Sequence, residues 1–412
     1  MKFPRFNFPM HYQILLGILL GILFGFFFTE QTAYIDWMGD MFMRALKMIV
    51  VPLVFCSVTA GVASISAQDN FLRLGGKTMG LYLVTCVIAI FTGLFFVNLI
   101  QPGVGISITP PEIHSQLLHT TSKRELLLNL IPDNIFQAFA SMNMIGIIVF
   151  AILFGVFLGK STHSGAKSTK NAIEGINETI LALTSAILKL APFGVFGIIA
   201  SIVAKDASTA EALSGLIKSQ GVYLGTILAG IGFHTFITLS IFLIFFGKIN
   251  PLKHIARMKN VMLFAFSTAS SNATLPLTLS EMQTKSNIPK KIAEFTLPLG
   301  ATVNMNGTSL YECVAVIYLA QIYGLDLTLV QQLTIIFASL MVGIGAAGIP
   351  MASLVMTVVV IQLVGLPPES LGFIMLVDRF ADMARTMLNV YGDTVCAVLI
   401  TRSEREFKDL KI

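Results

Sequence analysis

Long apolar runs separated by short polar loops dominate the pattern of this 412-residue chain. The first run, HYQILLGILLGILFGFFFT at 11–29, is long enough to cross a bilayer, which takes about 20 residues in helical form. Similar runs recur to the end of the chain. Hydrophobic residues make up 55% of it and charged residues 12%, whereas soluble globular chains carry about 25% charged residues. The pattern predicts an all-α polytopic integral membrane protein.

Clusters of Lys and Arg predict the orientation of these runs. The clusters lie at 2–5, 73–77, 160–170, 248–259, 285–291 and 402–411. Loops rich in Lys and Arg remain in the cytoplasm. The intervening loops TEQTAYID (29–36) and YGLDLTL (323–329) contain neither residue and are expected outside. Both termini are therefore predicted to be cytoplasmic.

Two segments break the spanning pattern. The first, at about 260–284, has basic clusters at both ends and SSNATLP in its centre, and the second, at about 333–365, contains GIGAAGIPMAS. Backbone can leave helical form at membrane depth only where protein or a wet cavity surrounds it. We expect two re-entrant helical hairpins entering from opposite sides, a pattern typical of inverted-repeat transporters. Eight transmembrane helices remain. Alternatively, each segment is an ordinary spanning helix with a proline kink.

The stretch DRFADMARTMLNVYGD (378–393) carries a stripe of polar residues. At about 100° per residue in a helix, the following side chains share an arc of about 80°: Asp378, Asp382, Arg385, Asn389 and Asp393. An isolated charge at the bilayer centre costs about 2.5–3.5 kcal/mol. These charges must therefore face each other, water, ions or a substrate. A purely structural network of ion pairs is the alternative, but buried pairs add little net stability, which favours a binding site.

The residue types of this stripe indicate the ligand. A guanidinium such as that of Arg385 binds a carboxylate through two parallel hydrogen bonds, and Asp382 can accept from an ammonium. Asp393 among backbone carbonyls suits a small hard cation. Four amide or hydroxyl groups can orient a second carboxylate: Asn389, Thr386, Thr308 and Ser271. The set fits an acidic amino acid taken up with cations.

Three motifs resemble signatures of the dicarboxylate/amino acid:cation symporters, the glutamate transporter family. They are TLPLGATVNMNGTSLYE (296–312), GAAGIP (345–350) and DMARTMLNVYGD (382–393). The resemblance extends from the first helix to the last and includes KMIVVPLVF (47–55) in the second. The resemblance implies a homotrimer of elevator-type subunits, with eight transmembrane helices and two re-entrant hairpins in each. It assigns helices 1, 2, 4 and 5 (about 10–65 and 140–204) to a trimerisation scaffold. The transport domain comprises helices 3 and 6 (about 78–101 and 218–248) and residues 255–402.

The resemblance also implies roles in substrate binding. Arg385, with Thr308, corresponds to the group that binds the substrate side-chain carboxylate, and Asp382 to the acceptor for the amine. Asn389 and Ser271 correspond to the site of the α-carboxylate. The implied site is completed by Thr386, Ser270, Ile349 and Ser353. Ile349 and Ser353 belong to the outer hairpin, which acts as the extracellular gate.

Two sodium sites are implied in the same way, with cotransported cations and no prosthetic cofactor. The first uses the carboxylate of Asp393 with carbonyls of Gly300, Asn304 and Asn389. The second uses four backbone carbonyls and closes with the gate: those of Thr302, Gly343, Ile344 and Ala346.

A third, deeper cation site departs from the family pattern. The usual NMDGT reads NMNGT here, so that Asn306 replaces a carboxylate. The third helix supplies Tyr82, Thr85 and Cys86, a thiol where a hydroxyl is common. A thiol is a poor ligand for a hard cation and the amide has no charge. We expect no sodium there.

Glu312, in an apolar run, is the candidate proton carrier, as in proton-coupled eukaryotic members of the family. The alternative is a neutral Glu312 hydrogen-bonded within the bundle. Ala269 stands where archaeal relatives have an arginine at the first hairpin tip. Arg379 is a candidate to replace that charge.

We predict a symporter for glutamate or aspartate in a bacterial inner membrane, coupled to sodium and to protons. The alternative for the driving ions is a carrier whose substrate uptake is coupled to protons alone. A C4-dicarboxylate carrier would leave Asp382 unpaired, and a neutral amino-acid carrier would leave Arg385 unpaired. An ion channel should contain a repeated pore loop, which the chain lacks, and no HExxH or GxSxG motif indicates an enzyme.

Overall fold

The computed structural model describes residues 10–66, 72–105, 131–325, 327–345 and 352–404, and these ranges contain helices and no strand. A helix pairs its own backbone groups, as apolar surroundings require. The α-helices are α1 Met10–Phe27, α2 Asp36–Ser66, α3 Leu72–Ile100, α4 Ile135–Ala140, α5 Met144–Lys160, α6 Ser164–Leu188, α7 Ala191–Asp206, α8 Ala210–Gly247, α9 Pro251–Thr268, α10 Ser271–Thr284, α11 Lys290–Val303, α12 Asn306–Ile322, α13 Leu329–Gly345, α14 Ala352–Leu363 and α15 Leu371–Ser403. Helix α8 includes two π-helical stretches, His234–Thr238 and Leu243–Gly247.

The N-terminal helices form one packed group. Helix α1 lies along α7, and α2 contacts α5, α6 and α7. Gly21 on the α7 side of α1 permits this close approach, because a Cβ at this position would lie 2.9 Å from the Phe196 carbonyl oxygen. Small residues allow membrane helices to approach at backbone distance.

A second group of helices surrounds α12 and α15. Helix α12 contacts α3, α8, α13, α14 and α15, while α9, α10 and α11 pack against α15. Every α12 residue except Gln321 is buried. A helix that is apolar nearly all round belongs in the centre of a bundle, and this position brings its polar N-terminal turn against the charged stripe of α15.

The two segments expected to be hairpins are helix pairs. Helices α9 and α10 pack together and are joined at Ala269, whose φ of 50° is left-handed, and Ser270. The Ser270 hydroxyl caps α10 by accepting from the Ala273 amide at 3.2 Å. Helices α13 and α14 also pack together, but residues 346–351 between them lie outside the described residues. The re-entrant path through the membrane stays a prediction.

Three helices among the described residues are long and apolar enough to cross a membrane: Asp36–Ala63, Arg73–Ile100 and Ala210–Gly247. The pair Ser164–Leu188 and Ala191–Lys205, bent by 55°, adds a fourth if it is one span. Other helices are shorter apolar ones such as Tyr12–Phe27, or are interrupted by polar residues, as α11 and α12 are at Asn304. Eight crossings therefore stay a prediction.

Candidate functional site

The site is built around the break between α11 and α12. Asn304 and Met305 leave helical geometry, and α12 begins at Asn306 with its first amides buried. Amides in the first turn of a helix have no partner within it. The Asn389 side-chain oxygen accepts from the amides of Gly307 at 2.7 Å and Thr308 at 3.3 Å. One helix of the bundle thus caps another, and this cap holds α15 against the start of α12.

The amide nitrogen of Asn389 is also engaged. It donates to the Thr308 hydroxyl at 3.1 Å and lies 3.2 Å from the Met305 sulfur. Gly307 allows the close contact on which this arrangement depends, because a Cβ there would collide with the backbone of Arg385. The positions of Asn389 and Arg385 relative to α12 are therefore fixed by the backbone.

Arg385 is buried in a cage of two carboxylates and one ring. Its Nε and Nη2 donate to Asp382 Oδ1 at 3.2 and 2.9 Å, and its Nη1 donates to Asp378 Oδ1 at 3.0 Å. Its guanidinium carbon lies 4.1 Å from the centre of the Tyr311 ring. The Tyr311 hydroxyl donates to the same Asp378 oxygen at 2.7 Å. The side chain is 1% exposed, so all of its charge is compensated by protein groups.

Arg379 completes a charge-balanced set. Its Nη1 lies 3.2 Å from Asp382 Oδ2, and its side chain is 13% exposed. Two arginines thus face two aspartates, Asp378 and Asp382, and the formal charge of the four is zero. The Asp378 Oδ2 atom is buried and has no hydrogen-bond partner within the described ranges. An added anion would make this group negative unless a cation entered with it.

Asp393 lies two turns beyond this set, toward the C-terminal end of α15. Its Oδ1 accepts from Asn304 Nδ2 at 2.9 Å. Gly300 leaves room for this carboxylate, because a Cβ there would collide with Asp393 Oδ1 and approach the Tyr82 hydroxyl to 2.9 Å. Among the described residues no basic side chain forms an ion pair with Asp393. It is a buried carboxylate that accepts a hydrogen bond from a neutral amide.

The predicted deep site lies next to Asp393. The Cys86 thiol donates to Asn306 Oδ1 at 2.9 Å, and the Thr85 hydroxyl lies 3.3 Å from Asn304 Oδ1. The Tyr82 hydroxyl donates to the Thr296 carbonyl at 2.7 Å. The Asn306 Nδ2 group is buried without a hydrogen-bond partner in the described part of the chain. The Asn306 oxygen, the atom that would face a cation, thus accepts from a thiol.

Glu312 is fully buried two turns into α12. Neither carboxyl oxygen has a partner of hydrogen-bonding geometry within the described ranges. The carboxyl lies near the Thr357 hydroxyl of α14 and within electrostatic range of Arg385 and Asp378. The Thr357 hydroxyl donates to the Ser353 carbonyl at 2.8 Å. Glu312 therefore lies between the charged set of α15 and the second helix pair.

The sequence model of the sodium:dicarboxylate symporter family matches residues 10–403. The chain belongs to this family. It is 35% identical to the proton/sodium-glutamate symport protein of Bacillus caldotenax over 92% of this chain and 90% of the relative. It is 30% identical to the proton/glutamate-aspartate symporter of Escherichia coli (strain K12), over 97% of this chain and 94% of that relative. It is 31% identical to human excitatory amino acid transporter 5, over 89% of this chain and 76% of that relative. Members of the family are symporters and not enzymes.

The remaining predicted site residues that the structure describes lie on the two helix pairs, on α11 and on α15. Ser271 begins α10, which packs on α15, and Thr386 follows Arg385 in α15. Gly343 of α13 faces Ser309 of α12, because a Cβ at Gly343 would collide with the Ser309 hydroxyl. Three further predicted residues are placed as follows: Ser353 is buried in α14, Thr302 is exposed in α11, and Ile344 lies in α13. Ile349 and Ala346 lie outside the described residues.

Sequence reasoning did not single out Tyr311, Met305 or Thr357. Tyr311 could have been found, because it follows Thr308 by three residues on a predicted helix and shares its face. Asp378 was placed in the stripe but not in the predicted site, although it binds Arg385 directly. Thr357 lies far from any motif, and only the packing of α14 on α12 reveals it.

Replacing Asn389 with Ala should destabilise the protein without substrate. The variant leaves the buried Gly307 amide without its acceptor, at a cost of about 1–3 kcal/mol. Thermal unfolding in one detergent measures the effect. Thr308→Val, which removes a single acceptor of Asn389 Nδ2 and leaves the cap, should unfold at a temperature nearer that of the unmodified protein. Equal midpoints for Asn389→Ala and the unmodified protein would show that the cap contributes nothing.

Proposed function

We propose that this protein imports the acidic amino acids glutamate and aspartate together with sodium ions and protons. The observation that carries the proposal is the buried Arg385 held between Asp378 and Asp382. The names of relatives that align along most of the chain support the substrate class and both cations.

Substrate binding exchanges partners within the charged set. The substrate side-chain carboxylate takes guanidinium donors of Arg385, and the substrate ammonium takes Asp382 as its acceptor. Each lost internal bond is replaced by one to the ligand, so that no buried charge is left unpaired. The Thr308 hydroxyl, held by Asn389 Nδ2 at 3.1 Å, lies one turn from Tyr311 and assists at the same carboxylate. The α-carboxylate is bound by Asn389 and Ser271.

Charge balance explains why sodium accompanies the substrate. The formal charges of Arg385, Arg379, Asp378 and Asp382 sum to zero. A monoanionic amino acid therefore adds a net negative charge to surroundings of low dielectric constant. Asp393 adds another, and it has a neutral donor, Asn304, and no basic partner among the described residues. Sodium at Asp393, with carbonyls of Gly300, Asn304 and Asn389, neutralises this region. A second sodium at the carbonyls of Thr302, Gly343, Ile344 and Ala346 neutralises the substrate and closes the outer helix pair.

The deep site beside Asp393 carries no sodium in this proposal. A sodium ion there would have to displace the Cys86 thiol from Asn306 Oδ1, where it lies at 2.9 Å. The ion would gain a neutral amide oxygen in place of a carboxylate. Hard cations select charged and carbonyl oxygens over sulfur, so this pair of residues disfavours the exchange.

Glu312 carries the cotransported proton. Its carboxyl is fully buried, and surroundings of low polarity favour its neutral form. It lies within electrostatic range of Arg385, so an ionised Glu312 competes with the substrate for the guanidinium. Protonation of Glu312 therefore frees Arg385 for the substrate carboxylate and couples proton uptake to substrate binding.

The architecture proposed for this mechanism has eight transmembrane helices and two re-entrant hairpins, α9–α10 and α13–α14. The group around α12 and α15 moves as the transport domain against a scaffold that contains α1, α2 and α5–α7. Three copies assemble through the scaffold. The chain lies in a bacterial inner membrane with both termini in the cytoplasm, as the basic clusters indicate.

Uptake into proteoliposomes tests the proposal. Labelled glutamate, aspartate, succinate and serine are supplied with a sodium gradient, a proton gradient or both. Glutamate or aspartate should accumulate most with both gradients, and serine should not accumulate. Preferred uptake of succinate would favour a C4-dicarboxylate carrier. A current that persists without any substrate gradient would favour an ion channel.

Arg385→Ala should abolish binding of acidic amino acids. Loss of a buried, hydrogen-bonded charge pair costs about 2–5 kcal/mol, or roughly 30- to 5,000-fold in affinity. Isothermal titration with aspartate measures the change. Arg385→Lys keeps the charge between Asp378 and Asp382, so the fold is preserved, but it loses the two parallel donors and should also bind weakly. Arg44→Gln, at an exposed arginine of α2 outside the charged set, is the control, and unchanged affinity in Arg385→Ala would remove Arg385 from the site.

Asp382→Asn should weaken the binding of glutamate and aspartate much more than that of an amine-free dicarboxylate. A charge-assisted hydrogen bond contributes about 1.5–3 kcal/mol, or roughly 10- to 150-fold. Competition of unlabelled aspartate and succinate against labelled aspartate measures both affinities in one assay. Equal losses for the two ligands would mean that Asp382 only orients Arg385.

Glu312→Gln should make uptake insensitive to an imposed pH gradient while sodium-dependent substrate binding survives. The amide occupies the same volume and cannot exchange a proton. Uptake at a fixed sodium gradient, with and without a pH gradient, measures the effect. Glu281→Gln is the control, since Glu281 is also buried but is paired with Lys285 at 2.6 Å. A full response to the pH gradient in Glu312→Gln would place the proton elsewhere.

A further inference from the structure

A groove outside the candidate site lies between the start of α3 and the ends of α8 and α15. Its volume is about 500 Å³, within the range of pockets that hold small ligands. Its walls are apolar and come from three helices: Leu81 and Val84 of α3, Phe242 and Phe246 of α8, and Leu399 and Ile400 of α15. The Phe246 side chain is 63% exposed.

This groove lies on the opposite side of α3 from the deep site beside Asp393. Tyr82 and Cys86 face α11 and α12, whereas Gly80 and Val84 line the groove. At about 100° per residue, the two pairs point in roughly opposite directions. An occupant of the groove would therefore contact neither the substrate nor the cations.

One end of the groove is basic. Lys77 and Arg402 line it, and Arg73 and Lys291 lie close enough to act on the carboxylate of Glu404. Lys77 Nζ lies 2.5 Å from Glu404 Oε1, and this hydrogen bond holds the pKa of Glu404 below its ordinary value. The carboxylate stays ionised at neutral pH. Among the described residues at this end, these basic side chains outnumber the carboxylate of Glu404.

We propose that the groove binds an anionic phospholipid, with an acyl chain along the apolar walls and the phosphate at Lys77 and Arg402. Apolar walls on membrane-spanning helices exclude a water-soluble anion as the main occupant. The positive end selects a headgroup with net negative charge over a zwitterionic one. The basic residues belong to clusters that the positive-inside rule places at the cytoplasmic leaflet, where anionic lipids lie.

Gly80 and Gly76 provide a matched test. Both are exposed glycines of α3, one helical turn apart, and a Cβ at either position meets no atom within 4 Å. Gly80 lines the groove and Gly76 does not. Gly80→Leu therefore places a side chain in the groove with no collision at its Cβ, while Gly76→Leu makes the same chemical change beside the groove.

The experiment measures thermal unfolding of the delipidated full-length protein in a neutral detergent. Phosphatidylglycerol, phosphatidylcholine or glycerol phosphate is added over a range of concentrations. Phosphatidylglycerol should raise the midpoint of the unmodified protein and of Gly76→Leu, and should have little effect on Gly80→Leu. Phosphatidylcholine should have a smaller effect, and glycerol phosphate none. Arg402→Gln should weaken phosphatidylglycerol binding roughly fivefold and leave phosphatidylcholine binding unchanged.

Three results would overturn the proposal. Equal stabilisation by both lipids would mean an unselective lipid-facing surface. Full stabilisation of Gly80→Leu by phosphatidylglycerol would place the lipid elsewhere on the protein. A lower midpoint for Gly80→Leu than for Gly76→Leu, with no lipid effect on the unmodified protein, would mean that a segment of the chain fills the groove.

Discussion

The neutralisation of buried charge on α15 is the constraint on which the rest of the structure depends. Arg385, Asp378 and Asp382 lie within a helix bundle where an unpaired charge costs several kcal/mol. Arg385 is therefore always paired, either with these aspartates or with a ligand that replaces them. In the proposed mechanism, a substrate binds here only if it offers a carboxylate to Arg385 and an ammonium to Asp382. Selectivity and stability thus rest on the same hydrogen bonds.

The polar break between α11 and α12, at Asn304 and Met305, places partners for the charged stripe of α15. Because α12 begins in the middle of the bundle, its first amides need an acceptor, and Asn389 supplies it. Asn304, just before the break, donates to Asp393. The two asparagines connect α11, α12 and α15 at two heights along the stripe. Asn389, proposed to bind substrate, and Asp393, proposed to bind a cation, are therefore both held by the same short segment of backbone.

The all-helical fold and the face that the charged side chains of α15 share could be predicted from the sequence, for a physical reason. A charge at membrane depth is so costly that the charged residues of DRFADMARTMLNVYGD were expected to pair with each other or to form a site, and the helical period showed which side chains share a face. The roles of these residues in binding stay a prediction. Partners chosen by packing could not be predicted. Tyr311 over Arg385 and Thr357 near Glu312 depend on how α12 meets α15 and α14. The contact between Arg379 and Asp382 also could not be predicted from the angle of Arg379 around the helix, because its long side chain reaches back toward the stripe.

The altered deep site and Glu312 are connected through charge. A carboxylate at position 306 would add a negative charge near Asp393 and would need a sodium ion to balance it, whereas Asn306 needs none. With one fewer sodium ion, less of the sodium gradient's energy is available for each substrate molecule. In the proposed mechanism, a proton taken up on Glu312 restores a third driving ion beside the two sodium ions without adding a lasting charge to the bundle, because a protonated carboxyl is neutral. In the proposed mechanism, the Cys86–Asn306 hydrogen bond and the buried Glu312 are thus two parts of one exchange, in which a proton replaces a sodium ion.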